Sequence, residues 1–85
     1  MTVRVLNIRR ALLQALKNMP QGILMPTHML FADARRLVLP APTAAELEEE
    51  LQAADDVRLI TGITTDEGTK WKLSDAGRAW LAEHP

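Results

Sequence analysis

The sequence predicts an α+β fold: a three-helix core, a small antiparallel β-sheet and a C-terminal helix, within one domain spanning residues 1–85. Three observations carry that expectation. Apolar residues recur at steps of three and four in three stretches that precede Val57. Beyond it the period shortens, and "VRLITGIT" and "KWKL" flank the glycine-containing "TDEGT" as two arms of a hairpin. The closing "SDAGRAWLAE" returns to helical spacing.

The first helix runs from about Val3 to Asn18, with Val5, Ile8, Leu12, Leu16 and Met19 on its inner face and Arg10, Gln14 and Lys17 as a basic stripe opposite. "MPQG" ends it, because Pro20 removes a backbone donor and Gly22 accepts a turn conformation. Ile23, Leu24 and Met25 are too few for a helix and suit one short strand. Pro26 and Thr27 open the second helix, with Thr27 expected as its N-cap and Leu30, Ala34 and Leu37 facing inward as far as Val38.

Two prolines in "LPAPT" keep residues Leu39 to Pro42 extended, and Thr43 with Glu46 three residues later forms a capping box that starts the third helix. Its buried stripe is Leu47, Leu51 and Ala54. In the hairpin, Lys70 and Lys72 alternate with Trp71 and Leu73, which turns the tryptophan inward, and Arg58 is expected on the neighbouring strand. Ser74 reads as the N-cap of the last helix, which is expected to bring Trp80 onto Trp71 as a core aromatic pair.

The chain has no cysteine, which excludes disulfides, thiolate metal sites and cysteine nucleophiles and makes a reducing compartment the default. With 47% hydrophobic and 25% charged residues it can fold on a packed core alone. Its longest apolar runs fall far short of the roughly 20 residues that span a bilayer, and "MTVRVLNIRR" places charges inside any signal core, so a soluble, cytoplasmic protein with no membrane partner is expected.

A net charge of −1 conceals a strong segregation. Met1 to Arg36 holds Arg4, Arg9, Arg10, Lys17, Arg35 and Arg36 against Asp33 alone, whereas Thr43 to Asp56 holds Glu46, Glu48, Glu49, Glu50, Asp55 and Asp56 with no base. Such a division marks either two binding surfaces or two faces that neutralise each other within one fold.

The element order, and "ADDVRLITGITTDEGTKWKLSDAGRAWLAE" in particular, resembles the winged-helix branch of the helix-turn-helix superfamily. There a third helix leads into a two-stranded wing, and a phrase like "KLSDAG" opens a helix that packs back on the core. The resemblance covers nearly the whole chain and implies that Thr27 to Val38 is the second helix, Thr43 to Ala54 the recognition helix and Thr65 to Thr69 the wing tip. It also implies a place in transcriptional or phage-type regulation, although winged helices include DNA readers, RNA binders and modules that dock only on proteins.

A DNA reader presents Arg, Lys, Asn or Gln to the groove, past phosphates spaced every ~1.7 Å of axis. Here the positions expected to be exposed are Glu46, Glu48, Glu49, Glu50, Gln52 and Asp55, and carboxylates around the one base-reading type, Gln52, are repelled. A charge run is most often a plain solvated face, yet the like-charge pairs of Glu46 with Glu49 and Glu50, and Asp55 and Asp56 at the helix C-terminus, call for neighbouring bases, with Arg35 and Arg36 nearest in sequence.

Two functional readings compete with the plain face. In the preferred one those six polar residues form a docking surface for a basic protein partner, or for the Arg4, Arg9, Arg10 and Lys17 region of a second copy in a dimer. In the alternative the protein is a DNA-binding regulator that contacts phosphates through Arg9, Arg10, Lys17, Arg58, Lys70 and Lys72 with the acidic helix turned away.

No enzyme is expected. His28 and His84 lack metal-ligand spacing, Ser74 lacks a placed base, and Gly22, Gly62, Gly68 and Gly77 are too dispersed to cradle a phosphate, so no catalytic residue, metal, cofactor or small-molecule substrate is expected.

Overall fold

The computed structural model describes residues 1–85. It is an α+β fold in the expected order: α1 (Val3–Lys17), β1 (Met25–Pro26), α2 (Thr27–Arg35), α3 (Ala44–Asp56), β2 (Ile60–Thr65), β3 (Gly68–Leu73) and α4 (Asp75–Glu83). The strands form one antiparallel sheet in the order β1-β3-β2. Ile60 pairs with Leu73 and Thr65 with Gly68, so Asp66 and Glu67 form the tip of the hairpin.

Helical phase explains the core. Ile8, Leu12 and Leu13 of α1, Leu30 and Ala34 of α2 and Leu47, Leu51 and Ala54 of α3 converge on Ile60, Trp71 and Leu73 of the sheet and Leu81 of α4, within one cluster of 19 buried apolar residues. The capping box is present as expected: the Glu46 amide donates to Thr43 Oγ1 (3.1 Å) and the Thr43 amide to Glu46 Oε1 (3.0 Å). Ser74 caps α4 by accepting from the Gly77 amide (3.0 Å), and its hydroxyl donates to the Arg58 carbonyl (2.7 Å).

No Cβ fits at Gly77, because it would stand 2.1 Å from the Leu59 carbonyl oxygen. That contact seats α4 directly on the chain entering β2. Gly62 has the same role on the sheet, where a Cβ would meet the Trp71 ring at 2.6 Å.

Several local expectations are corrected. The first strand is Met25–Pro26 rather than Ile23 to Met25, since it is Met25 that pairs with Trp71 and is buried while Ile23 stays exposed. Pro26 takes the N-cap position of α2, and Thr27 becomes its first helical residue. The Thr27 hydroxyl is engaged elsewhere: it donates to the Thr69 carbonyl (3.2 Å) and accepts from the Trp71 indole N–H (2.8 Å), satisfying the polar end of a buried tryptophan. Helix α2 stops at Arg35, not Val38, so the helical phase is lost and Val38 turns inward while Leu37 is left 53% exposed.

Trp80 does not join Trp71. It packs half-buried toward α1 and stacks on His84 with ring centroids 4.0 Å apart and planes 13° from parallel. Arg58 precedes β2 instead of lying in it, at a left-handed φ of 61°.

Candidate functional site: the two faces of the third helix

The charge of α3 is divided between two faces. Leu47, Glu50, Leu51 and Ala54 are all buried, and their spacing shows why: Glu50 stands three residues after Leu47 and four before Ala54, on the stripe that meets α1. Ala45, Glu48, Glu49, Gln52 and Asp56 occupy the opposite, exposed side.

On the inner face both carboxylates are matched by arginines of α1. Arg4 grips Glu46 with two bonds, Nε to Oε2 at 2.7 Å and Nη2 to Oε1 at 3.0 Å, and its Nη1 donates to the Pro40 carbonyl (3.0 Å). Bidentate geometry of this kind gives both strength and orientation. Hydrogen bonding from Arg4, and then from the Thr43 amide, pulls the Glu46 pKa from its ordinary 4.5 down to about 2, and the same pairing raises that of Arg4.

Arg9 donates from Nε to Glu50 Oε1 at 2.5 Å, with side chains only 12% and 7% exposed. Its guanidinium carbon also lies 5.9 Å from the centroid of the Trp80 ring, within cation–π range. Glu50 is the one charged residue in the buried set, and no buried side-chain nitrogen or oxygen is without a partner. A buried carboxylate held this way is electrostatically closed to an outside ligand.

The outer face has no such relief. The ion pairs of the molecule are Arg4 with Glu46, Arg9 with Glu50 and Arg36 with Asp33, which leaves Glu48, Glu49, Asp55 and Asp56 with no base within 4.0 Å. Asp56 accepts from Gln52 Nε2 (2.9 Å), an i,i+4 bond along the exposed side. Asp55 is half-buried and, with Asp56, Arg58, Ile60, Thr61, Gly62 and Ser74, lines an open groove beside β2.

Of the six polar residues expected to form one exposed surface, Glu48, Glu49 and Gln52 are exposed, Asp55 is half-buried at the groove, Glu46 is half-buried under Arg4, and Glu50 is buried. The neighbours that relieve the acids are Arg4 and Arg9, not Arg35 and Arg36. Arg35 instead donates to the Pro42 carbonyl at 3.4 Å, and Arg36 pairs with Asp33. Of the bases expected to receive a second copy's acidic helix, Arg4, Arg9, Arg10 and Lys17, the first two are therefore engaged by their own.

The basic positions are dispersed. Arg9 faces α3, and Arg10 donates to the His84 carbonyl (2.9 Å) and to Asn7 Oδ1 (3.1 Å), fastening the end of α4 to α1. Lys17 is exposed at the end of α1. Lys70 and Lys72 share the outer face of β3, opposite Ile63 and Thr61, and Lys72 shares a cleft with Arg78. Arg78 is a basic residue beyond those that sequence reasoning points to, and its position four residues after the Ser74 cap is the signal that places it near the sheet.

No three His, Asp or Glu groups gather in a way that could hold a metal ion, and no helix is long and apolar enough to cross a membrane. The chain matches no family model, no curated protein and no solved structure.

Proposed function

We propose that this chain is a non-enzymatic winged-helix interaction module that docks a basic protein partner through the outward face of α3. The order of the elements and the β1-β3-β2 sheet support the winged-helix reading. The docking reading rests on one observation: Glu48, Glu49, Asp55 and Asp56 carry no ion pair, whereas the inner carboxylates of the same helix are each matched by an arginine. Four unmatched negative charges in the recognition-helix position repel a phosphate backbone and attract lysine or arginine side chains.

Nuclear magnetic resonance of the isotope-labelled chain with oligolysine tests this. Backbone amides from Ala45 to Asp56 shift on addition of the peptide and stop shifting in the Glu48→Lys, Glu49→Lys variant. Shifts that persist unchanged in that variant contradict the reading.

A second reading is favoured by the shared outer face of Lys70 and Lys72 and by the cleft that joins Lys72 to Arg78. In it a nucleic acid backbone lies along the wing and Lys17, with α3 turned away. Replacing Lys70 and Lys72 with Ala then weakens duplex binding and flattens its salt dependence.

A further inference from the structure

Strand β2 stands at one edge of the sheet, since the order β1-β3-β2 gives it β3 on one side and no strand on the other. Every second residue of an antiparallel edge strand turns its N–H and C=O away from the sheet. Edges of this kind are usually guarded by a proline, a lysine or a bulge, or kept very short. Here the strand is "ITGITT", six residues long with no charge and no proline, and Thr61 to Thr64 are all exposed. Ile63, 41% exposed, adds an apolar side chain on its outer face.

The two ends of the edge are acidic. Asp55 and Asp56 line the groove beside its first half, with Ile60 and Gly62 in the same wall, and Asp66 and Glu67 stand at its far end in the hairpin tip. Arg58 is the one base in that groove, and on the outer face of the strand the nearest bases are Lys70 and Lys72 of β3, paired across from Ile63 and Thr61. A second copy of the chain would set acidic end against acidic end in antiparallel pairing, which argues against self-pairing.

We infer that the edge of β2 receives an extended basic segment of a protein partner by β-strand addition. The inference rests on the docking reading above and specifies its mode. Main-chain bonds to β2 supply affinity, and side chains alternating across the added strand supply selectivity. On the face shared with Ile60 and Gly62, next to the end of α3, the incoming side chains are Lys or Arg and meet Asp55 and Asp56. On the other face, beside Ile63 and with Lys70 and Lys72 of β3 disfavouring a base, they are apolar. An alternating basic-apolar segment satisfies both.

The probe is a short synthetic peptide alternating Lys and Val, compared with a peptide of equal charge in which proline replaces each valine and so removes strand donors. Both are titrated into the isotope-labelled full chain. Chemical shifts and slowed amide exchange across Ile60–Thr65 with the Lys-Val peptide, absent with the proline peptide, are expected. Asp55→Lys with Asp56→Lys is expected to weaken that binding at least about tenfold, and because both residues sit at a helix C-terminus the variant keeps its fold.

Equal binding of both peptides, with shifts on Glu48 and Glu49 but none on β2, overturns strand addition while leaving the docking face intact. Binding of neither peptide overturns both. Protection of β2 that grows with protein concentration in the absence of peptide overturns the choice of a basic segment in favour of a second copy.

Discussion

The inner and outer faces of α3 carry the same residue type to opposite ends. Glu46 and Glu50 look toward α1 and are closed by Arg4 and Arg9, while Glu48 and Glu49, which lie between them in sequence, look outward and meet no base. The difference comes from helical phase alone. A carboxylate on the buried stripe must bring its counter-ion into the fold, whereas one on the opposite stripe is left for solvent or for a partner. Net charge along the sequence therefore overstates what the folded helix offers, and what it offers is confined to one side.

The sharpest way to break this contrast is to remove one member of the inner pair. Arg9→Ala leaves Glu50 buried without its partner and is expected to cost about 3–5 kcal/mol in urea unfolding, whereas Arg9→Met with Glu50→Leu together stays near the wild-type value. A loss as small as that of a surface pair would show that the two faces do not differ.

Acid sharpens the same comparison at Glu46. Because its pKa is lower folded than unfolded, its contribution to stability is complete above the ordinary 4.5 and is lost as pH falls through about 2. Carboxyl carbon titration is expected to place Glu46 at about 2 and to move it back toward the ordinary value in Arg4→Ala. Glu46→Gln is expected to flatten the slope of stability with pH in that window, and an unchanged slope counts against the pairing.

Effects on the outer side are smaller and of opposite sign. Asp55→Asn with Asp56→Asn removes two acids from the negative end of the α3 dipole and is expected to raise stability by about 0.3–1 kcal/mol per site in thermal unfolding. Glu48→Lys with Glu49→Lys should leave stability within about 0.5 kcal/mol of wild type while abolishing the attraction for basic peptides. A large destabilisation by that pair would mean that the outer face has a structural partner after all.

Much of the fold was legible because it depends on local signals. The capping box of Thr43 and Glu46, the Ser74 cap and the alternation around Trp71 each specify an element within a few residues. Local signals mislead where tertiary contacts decide. Thr27 has the chemistry of a cap, but the Trp71 indole and the Thr69 carbonyl, more than forty positions away in sequence, recruit its hydroxyl. Leu37 and Val38 exchanged roles because α2 ends early, which a run of apolar residues does not reveal.

The candidate site was only half legible. Residue type alone puts Glu50 on the surface, yet its spacing from Leu47 and Ala54 puts it on the buried stripe, a signal present in the sequence. That Arg4 and Arg9 reach α3 depends on how α1 crosses it, and nothing local encodes that crossing.

The most direct test is fluorescence anisotropy at low salt, with a labelled oligolysine peptide and a labelled random duplex each titrated with the intact protein. Low ionic strength gives either attraction its best chance. The outward carboxylates of α3 predict saturable binding of oligolysine that weakens as salt rises, and no binding of the duplex. Salt-sensitive binding of the duplex with none of oligolysine would contradict the assignment of α3 as a protein-docking face.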